Sequence, residues 1–342
     1  MIKPVFFKNP PPLIHLKRLT TPLGLLQHTE KETPDPAHGY SLDDNARALI
    51  VALKYAKIYL DLPLLNLAQI YLDYLKRAQL KDGRFHNFLS FGNKFTDRAG
   101  SEDSFGEVIW ALGYAISHPE IDQAIKKRAL RIFQKAKKQI KNLKFLRGRA
   151  YTLLGLYYVM DKKGVKKLAD SLILDYKRST QQNWHWFENI LTYANGLLPY
   201  ALFLAYDLLK DKKYLKIGQE SLDFLDKVCR KDRIVVPIGN QGWFKKGREK
   251  ALFDQQPIEP AMMVLAFSAL FQITHNFEDK EKALDWFSWF YGNNLKNKKL
   301  LDQKTGGCFD GLTKFGANLN QGAESILSYL LAYLEFKEKS EI

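Results

Sequence analysis

Acidic side chains are concentrated in a few short segments of this sequence, and these segments could carry chemistry. Asp43 and Asp44 are neighbours in the first, Glu102 and Asp103 in the second, and Glu259 lies just before Pro260. Paired carboxyl groups can cleave a glycosidic bond, one protonating the leaving oxygen while the other acts as base or nucleophile. We predict Glu259, Asp103, Glu102 and Asp44 as catalytic candidates, with Glu259 and either Asp103 or Glu102 as the acid/base pair.

Amides, aromatic rings and further charges lie in the same segments or in loops nearby. Such a mixture suits a polyol, because hydroxyl groups need both donors and acceptors, and an aromatic ring can stack on the apolar face of a sugar. Tyr40, Trp186 and Trp243 are the candidates for stacking. The predicted substrate-binding residues are His38, Tyr40, Asp43, Arg47, Arg149, Trp186, Glu188, Trp243, Gln256, Asn320, Gln321 and Glu324.

Several of these residues also have a structural interpretation, which the sequence leaves open. Ser41 and Asp44 have the spacing of a helix cap, and Ser104 with Glu107 has the spacing of a capping box. If Glu107 caps that helix, Glu102 and Asp103 are not needed for capping and are free for another role. Glu324 could form an ion pair with Arg47 or Arg149 instead of binding a ligand, and the tryptophans could belong to the core.

The elements that position these segments follow from the hydrophobic pattern. Six stretches that are nearly free of charge begin near residues 42, 103, 149, 189, 257 and 321, and amphipathic, highly charged stretches separate them. A helix that is apolar on almost all sides is buried, and a period of about one helical hairpin indicates a repeat architecture. We therefore predict an all-α (α/α)6 toroid, with an inner and an outer ring of helices and short strands in the loops.

The predicted ring forms one domain over residues 1–342, with residues 1–37 as an N-terminal extension that packs on it. Six inner helices and five outer helices are clear in the pattern. A twelfth helix must come from the N-terminal segment if the ring is complete. In such a ring, the loops that lead into the inner helices open on one face, so their polar residues would converge on a central funnel.

The helical alternation is accompanied by three short motifs, Asp43-Asp44-Asn45-Ala46-Arg47, Ser101-Glu102-Asp103 and Asn320-Gln321-Gly322-Ala323-Glu324-Ser325. Together they resemble the six-hairpin glycosidase-like (α/α)6 superfamily, over nearly the whole chain. The resemblance implies a carbohydrate-active ring without assigning a catalytic pair.

We expect a glycoside hydrolase that cleaves or transfers a glycosidic bond of a mono- or oligosaccharide. One alternative is a sugar epimerase or isomerase that uses His38 and His185. Another is a non-enzymatic sugar-binding or scaffold module. A toroidal terpene cyclase fits less well, because the Asp43-Asp44 pair is not followed by further acids for a metal–diphosphate complex.

The chain has 52 Lys and Arg against 37 Asp and Glu, a formal net charge of +15. The run from Lys126 to Arg149 contains 11 of these basic residues and no acid. We interpret it as the solvated face of an outer helix, which could contact a protein or an anionic surface. Nucleic acid is not predicted as a partner, because the run lacks interleaved exposed aromatic residues and a recognised module.

Cofactor and targeting signals are absent from the sequence. Cys229 and Cys308 are too few for a disulfide framework and lack the spacing of a zinc site. Neither a P-loop nor a dinucleotide-binding glycine pattern occurs, so we expect no metal and no cofactor. The N-terminus lacks the apolar stretch of a secretory signal, and the longest uncharged run, Ile190–Tyr206, is too short to span a membrane. We therefore expect a cytoplasmic protein.

Overall fold

A computed structural model of the protein describes residues 7, 9–61, 63–118, 121–232 and 234–340. Within them the chain folds into two concentric rings of helices. The inner ring consists of α2 Leu42–Tyr59, α4 Glu102–Ser117, α6 Leu146–Tyr158, α8 Leu197–Leu209, α10 Ile258–Thr274 and α12 Ala323–Ser340. The outer ring consists of α1 Ile14–Leu19, α3 Leu64–Ala78, α5 Gln123–Lys137, α7 Lys162–Ser179, α9 Lys212–Val228 and α11 Phe277–Ser288. The predicted (α/α)6 toroid is confirmed.

The hydrophobic pattern explains which helices lie inside. In α10 every residue from Ile258 to Phe271 is buried, as expected for a helix that is covered on all sides. In α5 only one stripe is buried, including Ile125, Ala129 and Ile132, while Lys127 and Lys137 are exposed. The basic run therefore begins on an outer helix, and its contact with a protein or an anionic surface stays a prediction.

The ring closes because each inner helix packs on the next and α12 packs on α2. Near the C-terminal ends of α2 and α12, the buried Lys54 ammonium donates to Glu335 at 2.6 Å and to Glu338 at 2.5 Å. These carboxylates raise the pKa of Lys54, and the nearby lysines, Lys339 and Lys54, lower the pKa of Glu335 to about 2. The ion pair therefore remains charged at neutral pH although burial opposes it.

Helices α4 and α6 approach each other most closely, and glycine permits it. A Cβ atom at Gly155 would lie far inside van der Waals contact with the carbonyl oxygen of Ile109. The two backbones therefore pack directly on each other at this point, where no side chain fits between them.

In the described part of the chain, the loops carry six short antiparallel strand pairs. They are β1 Thr20–Thr21 with β2 Gly24–Leu25, β3 Thr29–Glu30 with β4 Thr33–Pro34, β5 Tyr40–Ser41 with β6 Phe88–Leu89, β7 Ile190–Leu191 with β10 Phe244–Lys245, β8 Arg230–Lys231 with β9 Ile234–Val235, and β11 Gly311–Thr313 with β12 Gly316–Asn318. The pairs β5–β6 and β7–β10 join loops that lead to different inner helices, so they fix the rim of the ring.

The start of the fourth inner helix differs from the sequence prediction, and the N-terminal segment supplies the predicted twelfth helix. The fourth inner helix begins at Leu197 and not near residue 189, because Ile190 and Leu191 pair with β10 and Asn195 bonds the backbone of Thr192. The twelfth helix is α1, a short helix whose Leu16 and Leu19 are buried in the core. It belongs to the predicted N-terminal extension, of which residues 1–6 and 8 lie outside the described residues.

Candidate functional site

The N-terminal ends of the inner helices converge on one face of the ring and form a funnel with two adjoining lobes. The first, here called the acidic lobe, has a volume of about 430 Å³. It is lined by Gln27, His28, Ser41, Asp43, Asp44, Phe88, Asn240, Asp254, Gln256, Asp310, Gly311, Thr313, Asn318, Gly322, Glu324 and Ser325. The second, here called the aromatic lobe, has a volume of about 400 Å³. It is lined by Asp43, Arg47, Asn87, Ser101, Asp103, Ser104, Glu107, Tyr151, Tyr193, Asn240, Trp243, Gln256, Ile258 and Glu324.

Four residues line both lobes and therefore mark their boundary: Asp43, Asn240, Gln256 and Glu324. Volumes of this size are in the range of small-molecule pockets, which combine a few polar groups with an apolar wall. A ligand with two rings could place one in each lobe and its linkage at the boundary.

Arg47 organises the carboxylates at this boundary. Its side chain is buried, and it donates from Nε to Glu107 at 2.6 Å, from Nη2 to Asp43 at 3.1 Å and from Nη1 to Glu324 at 3.3 Å. These carboxylates raise the pKa of Arg47 further above its ordinary value although burial opposes it. A fixed guanidinium fork of this kind holds several carboxylates in defined directions.

Asp44 is the most perturbed carboxyl group of the acidic lobe. Its side-chain Oδ2 accepts a hydrogen bond from the Ser41 hydroxyl at 2.6 Å, whereas Oδ1 is buried and has no hydrogen-bond partner among the described residues. Burial, followed by the repulsion of Asp43, raises the pKa of Asp44 to about 8. Asp44 is therefore protonated at neutral pH. Oδ1 lies 4.0 Å from Nη1 of Arg47.

The aromatic lobe has a wall of rings held by polar contacts. The Tyr193 hydroxyl donates to Asp103 at 2.5 Å, and the Arg147 guanidinium lies 4.5 Å from the centre of the Tyr193 ring. Trp243 is tilted against Tyr193 at 6.2 Å between ring centres. Tyr193 and Trp243 thus offer flat apolar surfaces of the kind that pyranose rings stack on, whereas Tyr151 is buried.

Asp310 and Asp254 also line the acidic lobe. Asp310 accepts from the Gly322 backbone N–H at 2.6 Å and from the Ser325 hydroxyl at 2.7 Å, both through Oδ1. Asp254 accepts from the Gln241 side chain at 3.2 Å. The loops before α10 and α12 thus add two further acids to the lobe.

Seven of the predicted site residues line the funnel. They are Asp43, Asp44, Arg47, Asp103, Trp243, Gln256 and Glu324. The predicted choice between Arg47 and Arg149 as the partner of Glu324 is also decided, in favour of Arg47.

Glu102 lies outside the funnel, contrary to the sequence prediction. Its carboxylate accepts from the backbone N–H groups of Lys144 and Phe145 at 2.7 and 2.8 Å, immediately before α6. It therefore stabilises the start of the neighbouring inner helix. The helix that begins at Glu102 is capped by Ser101 through the N–H of Ser104, so Glu107 is free to bind Arg47, and the predicted capping box does not form.

Glu259 is buried behind the funnel wall, lines neither lobe, and accepts from the Asn195 side chain at 2.8 Å. Burial raises the pKa of Glu259 to about 7. The predicted pair of Glu259 with Asp103 or Glu102 is therefore not assembled in the funnel, because only Asp103 reaches it.

The other predicted binding residues lie in the core, at the rim or on the outside. Tyr40, Trp186 and Gln321 are buried, and the Tyr40 and Gln321 side chains bond protein groups. They cannot stack on or bind a sugar without rearrangement. Arg149 pairs with Asp175 of the outer helix α7, Glu188 pairs with Arg147, the Asn320 side chain accepts from the Lys31 N–H, and His38 lies beside Asp35.

The histidine pair that the epimerase alternative required does not converge. His185 lines a separate surface pocket with Phe224 and Lys227 of α9, and the His38 side chain is more than half exposed. Of the histidines in the described residues, only His28 lines a lobe of the funnel. Its ring lies edge-on against that of His38, with 4.7 Å between the ring centres.

Sequence reasoning missed several funnel residues, and only some carried a signal. Asp254 and Asp310 lie in the loops before the fifth and sixth inner helices, where we expected polar residues to converge. Glu107 was assigned to capping. Tyr193 was placed inside a helix that does not begin until Leu197, and Asn240 had no distinguishing neighbour, so neither could be found from spacing.

No known protein family profile matches this chain, and no curated protein is similar to it in sequence. Solved structures match its fold over nearly the whole length. A sugar epimerase from a ruminal bacterium has a TM-score of 0.74 at 12% identity and covers 98% of this chain and 97% of its own. Cellobiose 2-epimerase from Bacillus thermoamylovorans has a TM-score of 0.73 at 11% identity, covering 96% and 95%.

A GH76 α-mannanase from Bacteroides thetaiotaomicron has a TM-score of 0.65 at 9% identity, covering 96% of this chain and 93% of its own. At this low identity the similarity concerns the fold. The resemblance to six-hairpin glycosidase-like toroids is therefore confirmed as a fold, and the chemistry has to be argued from the side chains. Among the residues that the structure describes, no helix has the length and apolarity to cross a membrane.

Proposed function

We propose that this chain is a carbohydrate-active enzyme that binds a sugar in the funnel and uses Asp44 as its proton donor. The observation that supports this most directly is the environment of Asp44. A buried carboxyl group that lines an open polar pocket and whose pKa is raised to about 8 retains a proton that it can donate to a bound ligand at neutral pH.

The carboxyl groups around Asp44 favour hydrolysis of a glycosidic bond. Glycoside hydrolases need a protonated acid together with an ionised carboxylate that acts as base or nucleophile. Asp43 and Glu324 are candidates for the second role, because both line both lobes and both are paired with Arg47. The lobes would hold the sugars on either side of the bond that is cleaved.

Epimerisation or isomerisation of a sugar is the second candidate, and the comparisons support it better than they support hydrolysis. The two solved structures with the higher TM-scores described above are sugar epimerases. The pair His38 and His185 cannot serve here, because His185 is outside the funnel. The reaction would need a carboxyl group such as Asp44 to exchange a proton with the carbon next to a carbonyl, which a pKa near neutrality permits.

Incubation of the protein with a panel of mono- and oligosaccharides in D₂O, followed by NMR, distinguishes the two reactions. Hydrolysis releases new reducing ends without deuterium at carbon, whereas epimerisation changes configuration and incorporates deuterium without cleaving the chain. We expect Asp44→Asn to reduce either turnover by at least about 100-fold. The matched control is Glu281→Gln, which removes a negative charge from the exposed face of α11.

Azide identifies the second carboxylate if hydrolysis is found. We expect external azide to restore turnover in either Asp43→Ala or Glu324→Ala, because a small anion can replace the deleted nucleophile or base. Full turnover by Asp44→Asn would contradict the proposal, and so would the absence of both binding and turnover over the whole panel.

A further inference from the structure

The acidic lobe has an uneven distribution of charge. Among the described residues that line it are five carboxyl groups, and neither a lysine nor an arginine is among them. The carboxyl groups are Asp43, Asp44, Asp254, Asp310 and Glu324. The chain as a whole carries a net charge of +15, so this lobe has the opposite sign from the molecule around it.

Contacts with the protein neutralise only part of this charge. Asp44 is protonated at neutral pH, and Arg47 compensates Asp43 and Glu324 but is shared with Glu107. The partners of Asp310 are a backbone N–H and a hydroxyl, which are neutral donors.

Among the described residues, the Asp254 carboxylate likewise has only a neutral amide as its hydrogen-bond partner. A net negative charge therefore remains on the part of the lobe formed by the loops before α10 and α12.

The exposure of Asp44 and Asp254 indicates which part of the lobe a ligand can contact. Asp44 is only 6% exposed, and its Oδ1 has no hydrogen-bond partner among the described residues. Asp254 also lines the lobe and is half-buried, so a ligand in the lobe can reach it.

We propose that the acidic lobe selects sugars by charge, binding a protonated amino sugar more tightly than the neutral sugar and excluding uronic acids and sugar phosphates. The proposal rests on the proposed function, since it concerns the ligand of the same funnel. An ammonium group beside Asp254 and Asp310 gains both hydrogen bonds and Coulomb attraction, whereas a carboxylate or phosphate there meets like charges in a partly desolvated site.

Binding measurements on matched sugars test the selection without requiring turnover. The probes are the amino sugar, the neutral sugar and the uronic acid of the gluco, manno and galacto series, titrated by calorimetry or ligand-observed NMR at pH 7. In the series that fits the lobe, we expect the amino sugar to bind at least about tenfold more tightly than the neutral one. The uronic acid should show no measurable binding. The ratio should shrink in 0.5 M salt because salt screens the charges.

Neutralising Asp254 identifies the source of the selection. Asp254→Asn should reduce the ratio of amino-sugar affinity to neutral-sugar affinity several-fold. Glu281→Gln, with the same charge change on the outer helix α11, should change neither affinity.

The outcomes separate this proposal from the proposed function. If a uronic acid binds as tightly as the amino sugar, or if the Asp254→Asn variant keeps the full preference, charge selection is wrong while turnover of neutral sugars still supports the enzyme. If a neutral sugar binds and turns over but the amino sugar binds no better, the proposal is likewise overturned. If none of the nine sugars binds, charge selection is overturned, whereas the proposed function fails only if the full panel of mono- and oligosaccharides also shows neither binding nor turnover.

Discussion

Replacing Asp44 by asparagine should stabilise the protein, and the gain should grow with pH. In the native state burial raises the pKa of Asp44 to about 8, against 3.8 for the exposed group. At a pH between these two pKa values, Asp44 of the unfolded chain has released its proton, whereas Asp44 of the native state still holds it. The free energy of unfolding of the wild type therefore falls as pH rises through this window. Asparagine removes the titration and keeps an oxygen that can accept from Ser41.

The size of the effect follows from the shift in pKa. Each unit of pKa difference corresponds to about 1.4 kcal/mol, and the difference in free energy of unfolding between variant and wild type changes by about that amount per pH unit. From pH 5 to pH 8 the variant should gain on the order of a few kcal/mol in free energy of unfolding relative to the wild type. Other titrating groups are common to both proteins and cancel in the difference.

Urea unfolding of both proteins at pH 5, 6, 7 and 8, followed by circular dichroism, measures this difference. Asp161→Asn is the matched control, because Asp161 also lies at a helix N-terminus but its pKa is lowered by the Lys137 side chain and the Gly164 N–H, which outweigh burial. A lowered pKa contributes stability that is lost only in acid, so the difference between that variant and the wild type should be constant between pH 5 and 8.

If the difference in free energy of unfolding between Asp44→Asn and the wild type is constant from pH 5 to pH 8, Asp44 is ionised in the native state over that range. The assignment of Asp44 as the proton donor would then be refuted.

Three further predictions test the corrected site and the packing of the ring. Glu102→Ala should lower the free energy of unfolding by about 1–2 kcal/mol, because two backbone N–H groups before α6 lose their acceptor; urea unfolding measures the loss, and reduced turnover at unchanged stability would instead restore a catalytic role. Trp243→Ala should weaken sugar binding about tenfold by calorimetry, because the aromatic lobe loses a stacking surface, and unchanged affinity would place the sugar elsewhere. Gly155→Ala should destabilise the protein by at least about 2 kcal/mol, because the added methyl group meets the Ile109 carbonyl, whereas Gly92→Ala, where only the Ser90 hydroxyl lies nearby, should change the melting temperature little.

Most of the fold could be predicted from the sequence because burial acts on each helix as a whole. The nearly uncharged segments became inner helices and the amphipathic segments became outer ones, as in α10 and α5. The exception was the segment from Ile190, where the apolar run continued through a strand and a turn. Hydrophobic composition does not distinguish a buried strand from a buried helix over such a short stretch.

The candidate site was predicted less completely, since spacing places an acid at a helix start without fixing the direction of its side chain. Adjacent residues on a helix point about 100° apart, so two neighbouring acids need not face the same surface. Asp43 and Asp44 both line it, whereas Glu102 turns to the backbone before α6 and only Asp103 faces inward. Glu259 lies one residue beyond Ile258, which lines the funnel, and is buried behind it.

The sequence by itself determined the ring of helical hairpins and the concentration of acids at the starts of the inner helices. Both follow from local patterns, namely the period of the apolar residues and the residue types that follow each loop. Only the tertiary structure decided which acids share the funnel, that Arg47 joins three of them, and that Asp44 holds its proton. These properties depend on the rotation of each helix about its axis and on charges from distant segments, and packing around the closed ring sets both.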